Sequence, residues 1–304
     1  MRKISEKRAG KLQLAEEIKK NCLMKKILVP VDFSENSKMA FQFARELARR
    51  FRVSLDLVHC YLPEIDAASP FLQRDPEALL KAKMDQLKHF QNQPPNEGGG
   101  VATQIEANLI LRPGYPGEEI VSMSRDYDLI VMGTTGVSNP MRELFGSVSS
   151  EVALHADCAV MLVPPGVTFR GFNNILFASH YDSVVPMVLY EIREWAGFFR
   201  SNIHFVHVRP KDSTEPFDEL EERIFKALFE EKEPEFAFYM TEVAADSVVD
   251  GLNAYADKNN IDLVVMVHPR RGFFESIFHK SQTKALALNA RRPLLVFHAS
   301  GRKN

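Results

Sequence analysis

Lys26-Ile27-Leu28-Val29-Pro30-Val31-Asp32-Phe33-Ser34 is an apolar strand that runs straight into a polar loop, and the chain carries it twice. The pattern returns 148 positions later as Asn174-Ile175-Leu176-Phe177-Ala178-Ser179-His180-Tyr181-Asp182. The same offset carries Leu57-Val58-His59-Cys60 onto Phe205-Val206-His207-Val208. Further on, Asp128-Leu129-Ile130-Val131-Met132 matches Asp262-Leu263-Val264-Val265-Met266 at an offset of 134, so the second copy has a shorter middle connection. Each copy closes on one more apolar strand, Ala159 to Val163 and Leu294 to Phe297. Self-similarity of this kind marks repetition of a structural unit.

Between the strands the period changes from two to about 3.6. Ala40, Phe43, Ala44, Leu47 and Ala48 recur at three and four, the stripe of a helix packed on a sheet. Leu80, Met84 and Leu87 repeat this in the middle of the first copy, and Met187, Tyr190, Ile192 and Trp195 give a looser version in the second. Strands apolar throughout are covered on both faces, as in parallel sheets. Alternating with helices, they predict two doubly wound, Rossmann-like α/β domains in tandem, each with a parallel five-stranded sheet. Breakers set the boundaries. Gln93-Pro94-Pro95-Asn96-Glu97-Gly98-Gly99-Gly100 reads as a loop within the first copy. Pro164-Pro165-Gly166 closes it, giving domains over 24–166 and 173–304 with a linker over 167–172. The acidic stretch from Asp212 to Glu235, with Phe225, Leu228 and Phe229 embedded, reads as an amphipathic helix.

The chain has 304 residues, enough for two domains, and residues 1–23 differ from the rest in their basic excess. They read as an extension, since Met24 opens a natural beginning and no unbroken apolar run marks a secretory signal. Thirty-eight Lys and Arg face 40 Asp and Glu, a net charge of −2, which argues against a nucleic-acid partner. Apolar runs such as Ile261 to Val267 fall far short of the ~20 residues a membrane span needs. Three scattered cysteines, Cys22, Cys60 and Cys158, make no disulfide framework, so a reducing compartment, the cytoplasm, is expected.

In open α/β sheets ligands sit beyond the carboxyl ends of the strands, where strand order reverses. Two loops of the first copy suit that place: Pro30 to Ser34, and Met132-Gly133-Thr134-Thr135-Gly136 onward to Gly146-Ser147-Val148-Ser149-Ser150. Gly133 and Gly136 lack Cβ, so backbone can approach an anion closely. Gly146 precedes a helical stretch, Ser147 to His155, whose amides and dipole face an anion at its start. Ser147, Ser149 and Ser150 add hydroxyls, and Asp32 can accept from a base amine or a ribose hydroxyl. The bland alternative is a glycine-containing turn before an ordinary serine cap.

Gly133-x2-Gly136-x9-Gly146-Ser147 matches the G-x2-G-x9-G-[ST] nucleotide loop of the universal stress protein family, and the first strand also resembles that family's. The likeness spans about 24–300 and suggests the tandem, two-domain form. It implies that the first domain binds ATP, with Mg²⁺ possible beside the phosphates. By the same resemblance Pro30, Val31 and Asp32 hold the adenosine end, and Cys60 lines the base pocket. Met132, Gly133, Gly136, Gly146, Ser147, Val148 and Ser149 surround the ribose and phosphates. The family's dimer through its last strand implies that the two copies pair with each other; a further homodimer is open.

The second copy departs at the same places: Asp32 corresponds to His180, Gly133 to Val267, and Gly146-Ser147 to His279-Lys280. No ATP of the first kind is expected there. His268, Arg270, Arg271, His279 and Lys280 crowd its loop with cations, for a different anion or for acids across an interface. Catalysis has little sequence support: no Gly-x4-Gly-Lys-[Ser/Thr] loop and no Gly-x-Ser-x-Gly elbow occur. His59 and His207, at equivalent strand ends, read as hydrogen-bonded structural residues, and Cys158 as a small buried one. The functional reading is therefore an ATP-binding stress or signalling protein. A protein–protein module with a relict loop and a slow ATPase are the alternatives.

Overall fold

A computed structural model describes residues 24–62, 76–94, 105–134, 147–179, 186–209, 221–222, 224–226, 236–268 and 291–298. The first copy runs β1 (Lys26–Pro30), α1 (Glu35–Phe51), β2 (Ser54–Tyr61), α2 (Pro76–Gln91), β3 (Asn108–Pro113), α3 (Pro116–Met123), β4 (Leu129–Gly133), α4 (Ser147–His155) and β5 (Ala159–Val163). The second runs β6 (Asn174–Ala178), α5 (Pro186–Phe199), β7 (Asn202–Arg209), β8 (Phe238–Ala244), α6 (Val248–Lys258), β9 (Leu263–His268) and β10 (Leu294–His298). Among these residues no helix is long and apolar enough to cross a membrane. The N-terminal extension, the Gly98-Gly99-Gly100 loop and most of the acidic stretch lie outside the described residues.

All ten strands form one sheet in the order β3-β2-β1-β4-β5-β10-β9-β6-β7-β8. Within each half every pairing is parallel, as the uniformly apolar strands require. The halves join where β5 meets β10 in antiparallel register, Met161 opposite Leu295. The sheet divides the core in two. Helices α1, α2 and α5 cover one face through residues such as Leu47, Leu87 and Ile192. On the other face, α3, α4 and α6 pack through Ile120, Val152 and Leu252.

The repeat extends to single hydrogen bonds. Asp128 Oδ2 accepts from the backbone amides of Lys25 (2.5 Å) and Lys26 (2.8 Å), fixing the start of β1. Asp262 Oδ2 does the same for Asn173 (2.7 Å) and Asn174 (3.0 Å) at the start of β6. One interior position breaks the symmetry. Asp56, 2% exposed in the middle of β2, accepts from Tyr127 Oη (2.6 Å) and Asn108 Nδ2 (2.8 Å) and pairs with Lys26 Nζ (2.8 Å). Its counterpart 148 positions on is His204, whose Nδ1 bonds Tyr255 Oη at 3.0 Å while Tyr239 stacks on the ring.

Two helical stripes differ from the sequence reading. Val188, Leu189, Ile192, Trp195 and Ala196 are the buried positions of α5, whereas Tyr190 is 43% exposed. On α2 Leu87 is buried but Leu80 is 42% exposed. Residues on a helical stripe count as core only where sheet lies beneath them.

Phe169 and Phe172, in the connection from β5 to β6, pack against α1 and α5. Phe169 meets Phe43 edge-on at 5.1 Å and Phe172 meets Phe199 at 5.0 Å, while Phe51 stacks on Phe198 at 4.2 Å. Such ring pairs contribute about 1 kcal/mol each beyond their buried area.

Candidate functional site

Strand β1 lies between β2 and β4, so the chain winds outward from β1 on one side and from β4 on the other. This is the topological switch point of the first half, and the carboxyl ends of β1 and β4 meet it side by side. The sequence-derived residues divide between its two walls. Val31 belongs to the core on the α1 face, while Met132 belongs to the core on the α4 face with Cys60 and Val148 packed against it. Ser147 opens α4. Gly136 and Gly146 lie outside the described residues.

The loop after β1 is held at each residue. The Val31 amide donates to the Val58 carbonyl (2.8 Å), continuing the sheet past its last paired residue. His59 Nδ1 lies 2.9 Å from the Val31 carbonyl, which makes Nδ1–H the donor. Burial lowers the pKa of His59, with Lys83 adding to the effect; the Val31 carbonyl and Asp32 oppose it. Phe33 turns the chain in the left-handed region at φ 66° and lays its ring 4.3 Å from that of His59. Ser34 then caps α1, accepting from the Ser37 amide. Asp32, exposed at the rim, accepts from the Ser34 amide (3.1 Å) and hydroxyl (2.6 Å) through Oδ1. A carboxylate accepts several hydrogen bonds, so these contacts aim the group while leaving it able to accept from a ligand hydroxyl.

The residues on either side of the second loop, Thr134 and Ser149, are tied together. The Thr134 amide donates to the Val163 carbonyl (3.3 Å), and the Ser149 hydroxyl donates to the Thr134 carbonyl (3.1 Å). Both residues are buried, so Ser149 anchors the first turn of α4 to the end of β4. Gly133 faces α1. A Cβ there would stand 2.5 Å from Asn36 Nδ2 and 3.2 Å from the Asn36 carbonyl oxygen. A side chain at this position would make Asn36 shift and would stand tight against its carbonyl, so the first turn of α1 favours glycine here. Gly133→Val is expected to lower stability by about 1–3 kcal/mol through overpacking against Asn36, measured by urea unfolding without ligand. An unchanged midpoint would show that α1 yields without strain.

Cys60, half-buried on β2, has its thiol pushed up to about 11, by burial first and then by Glu119, with Arg112 opposing. It is a neutral packing group at neutral pH, set against the core on the α4 face. Cys158 is buried, as expected. Among the described residues no group of three or more His, Cys, Asp or Glu gathers as metal ligands.

The second half builds the same frame with a different floor. The Ser179 amide donates to the Val206 carbonyl (2.9 Å), and His207 Nδ1 bonds the Ser179 carbonyl at 3.0 Å, the counterpart of His59 on Val31. Both strand-end histidines are thus clamps on the loop that follows the first strand. Where the first half has Gly133, the second has Val267, buried in the core on the α5 face. His180 and the cationic residues Arg270, Arg271, His279 and Lys280 lie outside the described residues. Thr134, Asn36 and the clamping role of His59 were not identified from the sequence as parts of the first site. A polar pair just inside a capped helix start (Asn36-Ser37), beside a strand ending in glycine, is the local signal for Asn36.

The universal stress protein family model matches residues 24–164 and 197–298. A universal stress protein of Methanocaldococcus jannaschii is 30% identical over 145 residues, 46% of this chain and 82% of that protein. One of Thermus aquaticus is 30% identical over 144 residues, 46% of this chain and 99% of that protein. The crystal structure of a universal stress protein from Archaeoglobus fulgidus covers 90% of this chain and 98% of its own, with a TM-score of 0.63 at 18% identity, which shows a shared fold over both halves. With both halves matched by one family model, and with the repeated clamps and strand order above, the chain belongs to the universal stress protein family.

Proposed function

We propose that this universal stress protein binds ATP in the crevice of its first half alone, with Mg²⁺ on the phosphates held largely by water. The observation that carries this is the switch point between β1 and β4, where Asp32 stands at the rim and the Ser149–Thr134 bond sets the start of α4 against the end of β4, while the second copy has His180 and Val267 in place of Asp32 and Gly133. Pro30, Val31 and Asp32 take the adenosine end, with Cys60 against the base, and Met132 lies with the residues around the ribose and phosphates. Gly133, Gly136, Gly146, Ser147 and Val148 surround the ribose and phosphates. Ser149 holds the turn that presents the α4 amides. A helix N-terminus beside a close-packed glycine strand end suits a polyphosphate, since backbone donors and the helix dipole both favour negative charge.

Residues 24–166 form the nucleotide-binding domain, 167–172 the linker and 173–304 the degenerate domain in this reading. The antiparallel β5–β10 pairing makes the two domains an intramolecular pair that mimics a dimer. The role is in cytoplasmic stress response, as a binding protein.

Mass spectrometry of small molecules released from purified protein, with thermal shift in ATP and Mg²⁺, tests this. Stabilisation on the order of 3 kcal/mol is expected at 100 times Kd. Absence of both nucleotide and shift would end the proposal. The paired clamps supply an internal control. His59→Ala and His207→Ala each remove the same kind of hydrogen bond, so both should lower stability by about 1 kcal/mol. Only His59→Ala should also weaken ATP binding, by roughly tenfold, because only it loosens a loop that meets nucleotide. Equal affinity in the two variants would show that the first loop is not part of the site.

A further inference from the structure

The seam between the halves carries a second surface. Helices α1 and α5 end side by side, and each is followed by an arginine in the left-handed conformation, Arg52 at φ 58° and Arg200 at φ 57°. The two are 148 positions apart and so occupy equivalent places in the repeat. Glycine is the usual residue there because a Cβ makes the conformation costly, yet both copies carry a long cation. Arg50 lies over the ring of Phe169 at 5.5 Å, and Arg170 follows Phe169 in the linker. All four side chains are exposed. Among the described residues none of the four reaches a carboxylate; Arg49, beside them, pairs with Glu46 at 3.0 Å. Glu194 stands one turn before Phe198 on α5.

These arginines surround an apolar centre. Phe51, Phe169, Phe198 and Phe199 make ring contacts of 4.2–6.1 Å with one another, and Phe198 remains 39% exposed. Attraction to the helix C-terminal dipoles accounts for cations at Arg50, Arg52 and Arg200. It does not account for Arg170, which lies in no helix, or for an exposed ring in their midst. In a chain whose acids slightly outnumber its bases, this is a local segregation of positive charge.

We propose that the α1–α5 seam is a docking surface for an acidic protein segment carrying an apolar anchor. The guanidinium groups take its carboxylates and the exposed face of Phe198 takes the anchor. Arginine's planar fork matches carboxylates two bonds at a time, and arginine and aromatic residues are the usual anchors of protein interfaces. One partly exposed ring offers too little apolar area to enter a bilayer, which disfavours a membrane surface.

The test is a display library of random peptides panned on the full chain, with Arg50→Glu/Arg200→Glu as counter-selection. Enrichment of acidic peptides containing an aromatic or aliphatic residue is expected. The best of them should bind at least about tenfold more weakly to the reversed variant, to Phe198→Ala, and to Arg52→Gln/Arg170→Gln, which removes charge without adding any. Arg125→Glu, on a residue paired with Asp157 elsewhere, should bind as the parent does. Circular dichroism confirms that each variant is folded. Failure to enrich acidic peptides, equal binding by the variants, or capture only by phosphatidylserine vesicles would overturn the proposal.

Discussion

Asp56→Ala is expected to lower the unfolding free energy by about 3 kcal/mol at neutral pH, a large loss for one side chain. Removing the carboxylate leaves the Tyr127 hydroxyl and the Asn108 amide without their acceptor, and Lys26 without its counter-charge. Because Lys26 is partly exposed and can turn to water, the loss sits at the low end for a broken buried ion pair. The effect should fade in acid. Burial opposes ionisation of Asp56, but hydrogen bonds from Lys26, Tyr127 and Asn108 outweigh it and hold the carboxyl below its usual range. A depressed folded pKa gives stability that is present above the unfolded value, about 4, and lost as pH falls through the folded one. Urea unfolding of both proteins at neutral and acid pH reads this directly. A constant gap between them would show that the carboxylate is not what the interior responds to.

Glu191→Gln is expected to act in the opposite direction, stabilising the protein by up to about 3 kcal/mol at pH 8 and by nothing at pH 4. Glu191 lies on α5, and burial pushes its carboxyl up to about 7. The folded state therefore holds a proton that the unfolded chain has already released. Such a group contributes stability below the unfolded pKa and loses that contribution as pH rises through the folded one. Glutamine keeps the neutral shape without the titration. The measurement is the difference in thermal midpoint between variant and parent across pH 4–8. A flat difference would place the carboxyl in water.

Much of this architecture is legible from apolar continuity alone. A strand buried on both faces can be little else than Ile, Leu, Val and their like, so β1, β4, β6 and β9 stand out, and the 148-residue offset links the halves. The cap that Ser34 places on α1, by meeting an orphan amide of the first turn, is not singled out in the sequence reading. Asp56 is different. In the sequence it is a blemish in an apolar strand, and the groups that justify it, Lys26, Asn108 and Tyr127, come from three other places in the chain. In the sequence, Gly133 reads as a place where a missing Cβ lets backbone approach an anion. That Asn36 already fills the space follows only from how α1 crosses the end of β4. Leu80 and Tyr190 match the helical spacing yet face water, because periodicity reports a direction around a helix and not what lies there. The strand-end histidines were expected to be hydrogen-bonded; that both choose the first loop carbonyl is a tertiary fact.

The β5–β10 junction has one further outcome. Two separate subunits joined edge to edge come apart on dilution, and each then shows an unpaired strand to its surroundings. Here both strands belong to one polypeptide, in which residues 164–173 lead from β5 into the second half, so their encounter is unimolecular and independent of protein concentration. Whatever occupies the first half is therefore always accompanied by one second half, in fixed stoichiometry at any expression level.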